Sequence, residues 1–475
     1  MMKTNAMILL MVLLLFSGTV TARNEKDIDT DVLKDLHGRL NLSPEALALQ
    51  AALQNGQPGE FFLNRDVLKN HNTQYTIELK TPAVTNQKGT GRCWLYAGLN
   101  AIRPKVAERL GLDDFEFSTG YYFFYDKLEK ANAFLERILD TASHPIRDYR
   151  VQALLRSPCD DGGFWQNAAD LVAKYGAVPI QAMPEVAACD NSSPMNRILA
   201  LTLRQGAYEL RQMAEKKEKS KKLAEHKRRI LDRVYRILAL HLGEPVQSFP
   251  FRYKLKKDQQ DGDKGDKKDK APVWTEYKTY TPQEFAQEFV QEDMGEYVMF
   301  ANWPGRPYGT FYAVEYSSNL YSGTPLCFVN LPMEEIKSMI LASLKAGEPV
   351  NFSADVGKML DRDRGLMHPE MYRYNEAYGV DLSMDKKRDS VLCNINSTHA
   401  MVFTGVDLMG ENPLKWKVEN SWGTKNGDKG FYAMYDGWMD LYVVRVVLHK
   451  QFVSKTVLDL FKTKPVLIPF TEPEQ

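Results

Sequence analysis

The chain has 475 residues, of which 44% are hydrophobic and 26% are charged, an ordinary composition for a folded protein with a large core. Lysine and arginine together number 61, as do aspartate and glutamate. This balance excludes a general attraction to nucleic acid or to anionic membranes. The 8 histidines lack metal-ligand spacing and no Cys-x-x-Cys pair occurs, so the sequence does not predict a catalytic metal.

The first 22 residues have the layout of a secretory signal peptide. Lys3 is the only charged side chain there, a wholly apolar run occupies positions 7–16, and small residues lead to Ala22. The run is shorter than the roughly 20 residues that span a bilayer. The alternatives are an N-terminal anchor or a buried helix. We expect cleavage after Ala22 and export to the periplasm or the extracellular space, with no membrane attachment afterwards.

The segments that follow are predominantly helical. Ser43 is a good N-cap and Gly56 a good terminator for one predicted helix. A second predicted helix, in "GGFWQNAADLVAKYGAVP", is closed by Gly176. A third begins at Cys93 and is expected to end at Pro104, because proline disrupts a helix interior.

Two charged segments interrupt the middle of the chain. Residues 193–242 read as a long helical stretch with a basic centre, Lys216–Arg229. That centre indicates either a nucleic-acid patch or, as we favour, a solvated helix or helix hairpin. Residues 254–270 are rich in Lys, Asp and Gly with almost no apolar side chain, which is typical of a surface loop without fixed structure.

Strands dominate from about residue 391 onward. "HAMVFTGVDL" is an apolar run, and "LKWKVEN" alternates, with Leu414, Trp416 and Val418 on one face. Helices early in the chain, strands late and a helical insertion between them predict an α+β fold.

Cys93 is the best candidate for a nucleophile among the 5 cysteines. A thiol attacks an acyl carbon as the thiolate, which a helix N-terminus or a nearby imidazolium stabilises. Glycines at 89 and 91 permit a tight turn before Cys93, and a predicted helix follows it. Cys393, the rival nucleophile, is interpreted as a buried strand thiol. If Cys93 is reduced, the other four cysteines could pair in three ways, and disulfide formation stays open.

A base and its partner occur in the strand-rich part. His399 opens one apolar strand and Asn420 ends the next, so a strand pair can bring the two together. An Asn carbonyl can then accept a hydrogen bond from the imidazole and fix its tautomer. Gln87, shortly before Cys93, could stabilise an oxyanion together with the Cys93 backbone N–H. Each feature alone is weak, but jointly they predict cysteine-peptidase chemistry.

The joint pattern matches papain-type peptidases, in which a helical half gives Cys and a β half gives His and Asn. Two departures are informative. Thr90 stands where simple papains carry a further cysteine, and the interval from Cys93 to His399 far exceeds their roughly 130–150 residues. With long strings such as "DDGGFWQNAADLVAKYGAVP", "THAMVFTGV" and "KWKVENSWG", the chain resembles the bleomycin hydrolase and bacterial aminopeptidase C family over most of its mature length.

The resemblance implies an α+β, papain-like cysteine peptidase fold, with a helical half, a β-barrel-like half and helical insertions for oligomerisation. It implies a cysteine-type aminopeptidase that acts on peptides, forms a homohexameric ring and needs no cofactor. Carried over to this chain, Cys93 is the nucleophile, His399 the acid and base, Asn420 the orienting residue and Gln87 the oxyanion donor. Trp422 shields the His–Asn hydrogen bond at the substrate side.

The C-terminal arm of the family lies in the active-site cleft, where its terminal carboxylate anchors the free amine of the substrate. Here the usual ending is replaced by Glu472, Pro473, Glu474 and Gln475, so Gln475 is the corresponding substrate-binding residue. The changed ending leaves open an endopeptidase or a dipeptide-releasing peptidase. From another class, the basic segment Lys216–Arg229 leaves open a ring-shaped protein that binds nucleic acid or another partner.

The predicted organisation follows from these features. It comprises a signal peptide (1–22), an N-terminal helical extension (23–75), a helical catalytic half with Cys93 (76–190), a helical insertion with the charged loop 254–270 (191–300), a β-rich half with His399 and Asn420 (301–460) and a C-terminal arm toward the active site (461–475).

Overall fold

The computed structural model describes residues 27–254 and 273–471. The expected signal peptide, nearly all of the charged loop 254–270 and Gln475 lie outside the described residues. The chain divides into two compact units, with the boundary between Leu63 and Asn64.

The first unit contains short helices. They are α1 (Thr30–Arg39), α2 (Pro44–Asn55) and α3 (Pro58–Phe61). The predicted caps of α2 are confirmed: the Ser43 hydroxyl oxygen accepts the backbone N–H of Ala46 at 3.2 Å, and Gly56 follows the last helical residue.

The second unit carries the large core. Its α-helices are α4 (Arg65–Asn70), α5 (Cys93–Arg109), α6 (Thr119–Asp140), α7 (Tyr149–Arg156), α8 (Trp165–Tyr175), α9 (Ala187–Asp190), α10 (Ser193–Glu215), α11 (Ser220–Leu242), α12 (Pro282–Phe285), α13 (Met333–Lys345), α14 (Tyr374–Tyr378), α15 (Lys386–Val391), α16 (Asp436–Tyr442) and α17 (Lys455–Leu460). Short π or 3-10 turns occupy Ala286–Val290, Met294–Glu296 and Lys450–Phe452.

The prediction that α5 ends at Pro104 is wrong, because the helix continues to Arg109 with the proline inside it. A proline in a helix interior removes one backbone hydrogen bond and costs about 3 kcal/mol. Val106 and Ala107, in the last part of α5, are buried in the core. Their burial offsets the cost of the proline and keeps the chain helical.

The predicted helix hairpin at 193–242 is confirmed as α10 and α11, which pack against each other and against α6. The hairpin buries apolar side chains such as Leu203, Leu210 and Ile230. A Cβ on Gly206 would lie 2.8 Å from the Ile230 side chain, so the glycine lets the helices approach closely. In the basic centre, Lys227 forms an ion pair with Glu136 of α6, which favours a structural role for that charge.

Most strands of this unit form one large sheet. In chain order the strands are β1 (Ile77–Glu78), β2 (Phe249–Phe251), β3 (Lys278–Tyr280), β4 (Tyr297–Ala301), β5 (Thr310–Val314), β6 (Cys327–Asn330), β7 (Val350–Ala354), β8 (Leu360–Asp361), β9 (Leu366–Met367), β10 (His399–Met409), β11 (Asn412–Glu419), β12 (Phe431–Tyr435), β13 (Val443–His449) and β14 (Val466–Ile468). The sheet order is β14-β5-β6-β4-β13-β7-β10-β11-β12-β9-β8, with β1 also on β10, while β2 and β3 pair separately.

Both faces are largely buried in the second half of β11, although its alternation suggested one polar face. Leu414, expected on the apolar face, lies near the start of the strand and is 39% exposed. Trp416 and Val418 are fully buried as expected, but Lys415 and Glu419 are also only 1% exposed. Lys415 forms an ion pair with Asp407, and Glu419 accepts a hydrogen bond from an arginine of α5. Lys415 and Glu419 therefore form buried ion pairs and do not mark a solvent-facing surface.

The prediction that Cys393 is a buried strand thiol is also wrong. The residue is exposed in a turn just after α15, with φ of 55°, and its N–H donates to the carbonyl oxygen of Ser390. The described residues include all five cysteines, and no disulfide is formed among them. Among the described helices, none combines the length and the apolar character needed to cross a membrane.

Candidate active site

Cys93 is the first residue of α5 and is half-buried. The preceding side chain, Arg92, is fully buried and anchors the turn, since it donates to Glu185 at 2.8 Å and to the carbonyl oxygen of Cys189 at 2.7 Å. The start of α5 is therefore held in place before any ligand binds. This position exposes the thiol to the N–H groups of the first helical turn, which stabilise a developing negative charge.

His399 and Asn420 lie side by side because antiparallel pairing of β10 and β11 brings the start of one strand to the end of the other. The imidazole Nε2 donates to Asn420 Oδ1 at 2.8 Å. The same Oδ1 accepts the backbone N–H of Ser421 at 2.7 Å, which fixes the orientation of the amide. With the Nε2 proton engaged, Nδ1 is the basic nitrogen of the neutral ring.

Trp422 covers this hydrogen-bonded pair. Its ring stacks on His399 with ring centroids 4.6 Å apart and an interplanar angle of 29°. The guanidinium carbon of Arg362 lies 4.3 Å from the centroid of the Trp422 ring, so the indole contacts both a cation and the imidazole. The structure thus places Trp422 against the imidazole of His399, and its shielding role stays a prediction.

Burial disfavours the isolated charges of the candidate nucleophile and base. Burial raises the pKa of the Cys93 thiol, while backbone hydrogen bonds from Ala400, Trp94 and Cys93 itself act in the opposite direction. Burial lowers the pKa of His399 to about 4, against the effect of the Asn420 hydrogen bond. Either ion alone is therefore disfavoured. A thiolate and an imidazolium formed together attract each other and offset this cost.

Gln87 links the nucleophile turn to the segment after Asn420. Its backbone N–H donates to the Ser421 carbonyl oxygen at 2.8 Å, and its Oε1 accepts the Ser421 hydroxyl at 2.7 Å. Its Nε2 donates to the Thr90 carbonyl oxygen at 2.7 Å, which uses one of the two amide N–H groups. Gln87 is thereby fixed close to the start of α5, as an oxyanion donor must be.

A cavity of about 620 Å³ contains both Cys93 and His399. The other lining groups come from the helical part, from the sheet and from the C-terminal segment. They include Lys130, Arg137, Asp160, Trp165, Met299, Glu315, Asn351, Ser353, Ala400, Arg445 and Phe470. No local sequence motif marks the cationic and amide groups among them, because distant segments contribute these side chains; they are Lys130, Arg137, Asn351 and Arg445. Within the described ranges, no three His, Cys, Asp or Glu side chains are grouped to hold a metal ion.

The C-terminal segment reaches this cavity. Strand β14 pairs in parallel with β5, and Phe470 lines the cavity and packs on Tyr316 with ring centroids 4.9 Å apart. The residues that follow Thr471, including Gln475, lie outside the described part of the chain. Of the expected arm, the structure therefore places Phe470 at the cavity.

Comparison with known proteins gives the family. Residues 27–473 match the Peptidase C1-like family. Aminopeptidase C of Lactobacillus delbrueckii subsp. lactis is 36% identical over 459 residues, which cover 94% of this chain and 97% of that protein. Aminopeptidase W of the same organism is 34% identical over 441 residues, covering 93% and 97%. The crystal structure of PepW from Lactobacillus rhamnosis HN001 has a TM-score of 0.88 at 35% identity, covering 94% of this chain and 99% of that one.

The chain belongs to the Peptidase C1-like family. The predicted membership of the bleomycin hydrolase and aminopeptidase C family is confirmed by the family match and by relatives such as aminopeptidase C, which is 36% identical over 94% of this chain. The predicted α+β, papain-like fold is confirmed by the structural match. The predicted enzyme class of this Peptidase C1-like chain, a cysteine-type aminopeptidase, is confirmed as well.

Replacing Asn420 by alanine is expected to reduce kcat about 10²-fold, with a smaller effect on KM. The imidazole would lose the acceptor that fixes its tautomer and ring orientation. Steady-state kinetics on a fluorogenic aminoacyl substrate measure this loss. Asn426→Ala, in the loop before β12, serves as the matched asparagine control. If both variants have the same kcat, Asn420 does not orient the base.

Proposed function

We propose that the protein is an exported cysteine aminopeptidase, which removes N-terminal residues from peptides through a thioester on Cys93. The observation that carries this proposal is the 2.8 Å hydrogen bond between Asn420 and His399, which lines the same cavity as Cys93. A half-buried thiol, a tautomerically fixed imidazole and adjacent amide donors are the parts that acyl transfer to sulfur requires.

In the first half-reaction, His399 Nδ1 takes the thiol proton and the Cys93 thiolate attacks the carbonyl carbon of the first peptide bond. The Cys93 backbone N–H and the second N–H of the Gln87 amide donate to the oxyanion of the tetrahedral intermediate. The imidazolium then gives its proton to the leaving amine, the C–N bond breaks, and a thioester remains on Cys93. The shortened peptide leaves with its new amino terminus.

In the second half-reaction, His399 removes a proton from a water molecule that attacks the thioester carbonyl. The second tetrahedral intermediate collapses, the C–S bond breaks, and the sulfur recovers the proton from the imidazolium. The released product is the free N-terminal amino acid, and the enzyme returns to its starting state. Asn420 keeps the ring oriented through both transfers, and Trp422 keeps water from their hydrogen bond.

Selection of the N-terminus is assigned to the C-terminal arm. Phe470 lines the cavity, and the acidic residues Glu472 and Glu474 follow shortly after it in the sequence. Their carboxylates would pair with the α-ammonium group of the substrate. A longer chain would have to displace them, so the enzyme would trim from the end.

Assembly and location are further parts of the proposal. The α10–α11 hairpin carries exposed apolar side chains, with Leu201 and Tyr208 61% exposed and Leu240 76% exposed, which supports subunit contacts in a homohexamer. Export is supported by the apolar run and small residues that precede Ala22.

The decisive test of specificity compares one fluorogenic peptide series with free and with acetylated N-termini. We expect kcat/KM to be at least about 30-fold higher for the free amine, because an acetylated end leaves the carboxylate of the arm without its cation. The Cys93→Ala variant serves as the blank. Equal cleavage of both forms would show instead that the changed ending leaves the cleft open, as in an endopeptidase.

A further inference from the structure

The carbonyl and carboxylate groups of Asp161 contact the chain on both sides of Cys93. The Gly91 backbone N–H, before the cysteine, donates to Asp161 Oδ2 at 3.0 Å. The Trp94 indole N–H, after the cysteine, donates to the Asp161 backbone carbonyl oxygen at 2.7 Å. A single residue from a distant segment therefore fixes both flanks of the candidate nucleophile.

The carboxylate is held firmly by further donors. The Ser192 hydroxyl donates to Oδ2 at 2.5 Å, and the Asn196 amide and the Lys127 ammonium each donate to Oδ1 at 2.7 Å. Burial alone would raise the pKa of Asp161, but the buried Lys127 and these hydrogen bonds hold it well below its usual range. These contacts favour the ionised carboxylate of Asp161, which has acceptor sites only.

The loop that carries Asp161 is anchored by two lysines of α6, of which Lys130 also lies 5.5 Å from the centroid of the Trp94 ring. Lys127 of α6 donates to the carbonyl oxygen of Cys159 at 2.9 Å. Lys130, one turn later on α6, donates to the carbonyl oxygens of Asp160 at 2.7 Å and Gly162 at 2.6 Å. Two lysines of one helix thus bind three backbone carbonyl oxygens of the loop. Asp161 lies in this fixed loop and in turn binds the residues on either side of Cys93.

The loop and the turn also fit closely in shape. A Cβ on Gly91 would lie 2.8 Å from Asp161 Cβ, and a Cβ on Gly163 would lie 2.6 Å from the Trp94 ring. Both distances are shorter than a carbon–carbon contact allows, so glycine is required at both positions. A change of side chain in this contact would move the segment that carries Cys93.

We infer that Asp161 is a positioning residue for the nucleophile: it fixes the backbone around Cys93 so that the thiol and the Cys93 N–H keep one orientation toward the substrate carbonyl. This inference rests on the proposed role of Cys93. Hydrogen bonds hold the loop to the start of α5, and no disulfide joins the two, because Cys93, Cys159 and Cys189 are all reduced. Because displacement of a reacting group by about 1 Å can cost about 10²-fold in rate, the effect falls on kcat.

The test compares Asp161→Ala and Asp161→Asn with Asp170→Asn. Asp170 is the matched control, because its carboxylate also accepts a backbone N–H, that of Thr324 at 2.7 Å, outside the catalytic cavity. We expect kcat to fall at least about 30-fold in Asp161→Ala and less in Asp161→Asn, with KM changed less than about threefold. Asp170→Asn should stay within about twofold. The rate of Cys93 alkylation by iodoacetamide at pH 7 should fall in the same order.

Activity and alkylation of the variants separate this inference from the proposed function. If Cys93→Ala keeps its activity, the proposed function fails. If Cys93→Ala is inactive but Asp161→Asn has wild-type kcat and alkylation rate, only the positioning role is overturned; a change confined to KM overturns it as well. Should Asp161→Ala not fold, Ser192→Ala removes one bond to the carboxylate and is expected to lower kcat severalfold. A wild-type kcat for both Ser192→Ala and Asp161→Asn contradicts the inference.

Discussion

Replacing Cys93 by alanine is expected to abolish peptide hydrolysis, with a loss of at least about 10⁴-fold in kcat. The thioester needs a sulfur at this position, and the structure places the thiol at the start of α5 in the same cavity as His399. Serine should fail as well, because a hydroxyl is far less acidic than a thiol and the buried imidazole is a weak base. Initial rates on a free-amine fluorogenic peptide measure the effect.

The matched control for Cys93→Ala is Cys393→Ala. Cys393 lies close to His399 in sequence but is exposed in the turn after α15. Its removal should leave kcat within about twofold of wild type, as expected for a surface substitution. Full activity of Cys93→Ala together with inactivity of Cys393→Ala would reverse the assignment of the nucleophile.

Replacing His399 by alanine is expected to lower kcat at least about 10³-fold, the contribution of general acid–base catalysis. The substitution should also make the Cys93 thiol unreactive toward alkylating reagents at neutral pH. Burial raises the pKa of Cys93 above its ordinary value of about 9, and without a positive partner nothing offsets that cost. The thiolate fraction of the variant therefore stays small at pH 7 and grows only as the pH rises past 9.

Iodoacetamide alkylation of Cys93 between pH 5 and 10 measures this prediction. In the wild type, we expect the imidazolium to stabilise the thiolate, so that alkylation is fast at neutral pH. Alkylation should slow only in acid, where the thiolate itself becomes protonated. The rate of hydrolysis should have a bell-shaped pH profile, because at alkaline pH His399 loses the proton that it gives to the leaving amine. His226→Ala, on the helix hairpin, is the control and should keep the wild-type profile. An unchanged alkylation profile in His399→Ala would contradict the ion pair.

Local sequence patterns are sufficient to place the central part of the site. The apolar run that starts at His399 and the alternation that ends before Asn420 predict adjacent strands, and antiparallel pairing then brings the two side chains together. The glycines before Cys93 predict a tight turn and a helix start. These features depend on neighbours in sequence, so the same patterns predict them before the fold is known.

Features set by tertiary packing are not visible in such patterns. Helix α5 continues through Pro104 because its far end is buried, and Glu419 is buried because Arg103 of α5 donates to it at 2.8 Å. Nothing near Cys393 signals the turn that exposes it. Asp161 acts on residues far away in the chain, so its contacts with Gly91 and Trp94 emerge only when the loop packs against α5.

The measurement that tests the central claim most directly is trapping of the acyl-enzyme. The enzyme is mixed with a free-amine aminoacyl ester, quenched in acid within one turnover, digested and analysed by mass spectrometry. We predict an increase equal to one aminoacyl group on the peptide that contains Cys93, absent in Cys93→Ala and retained in Cys393→Ala. An adduct on another residue, or none on Cys93 while product accumulates in a burst, would contradict thioester chemistry at the start of α5.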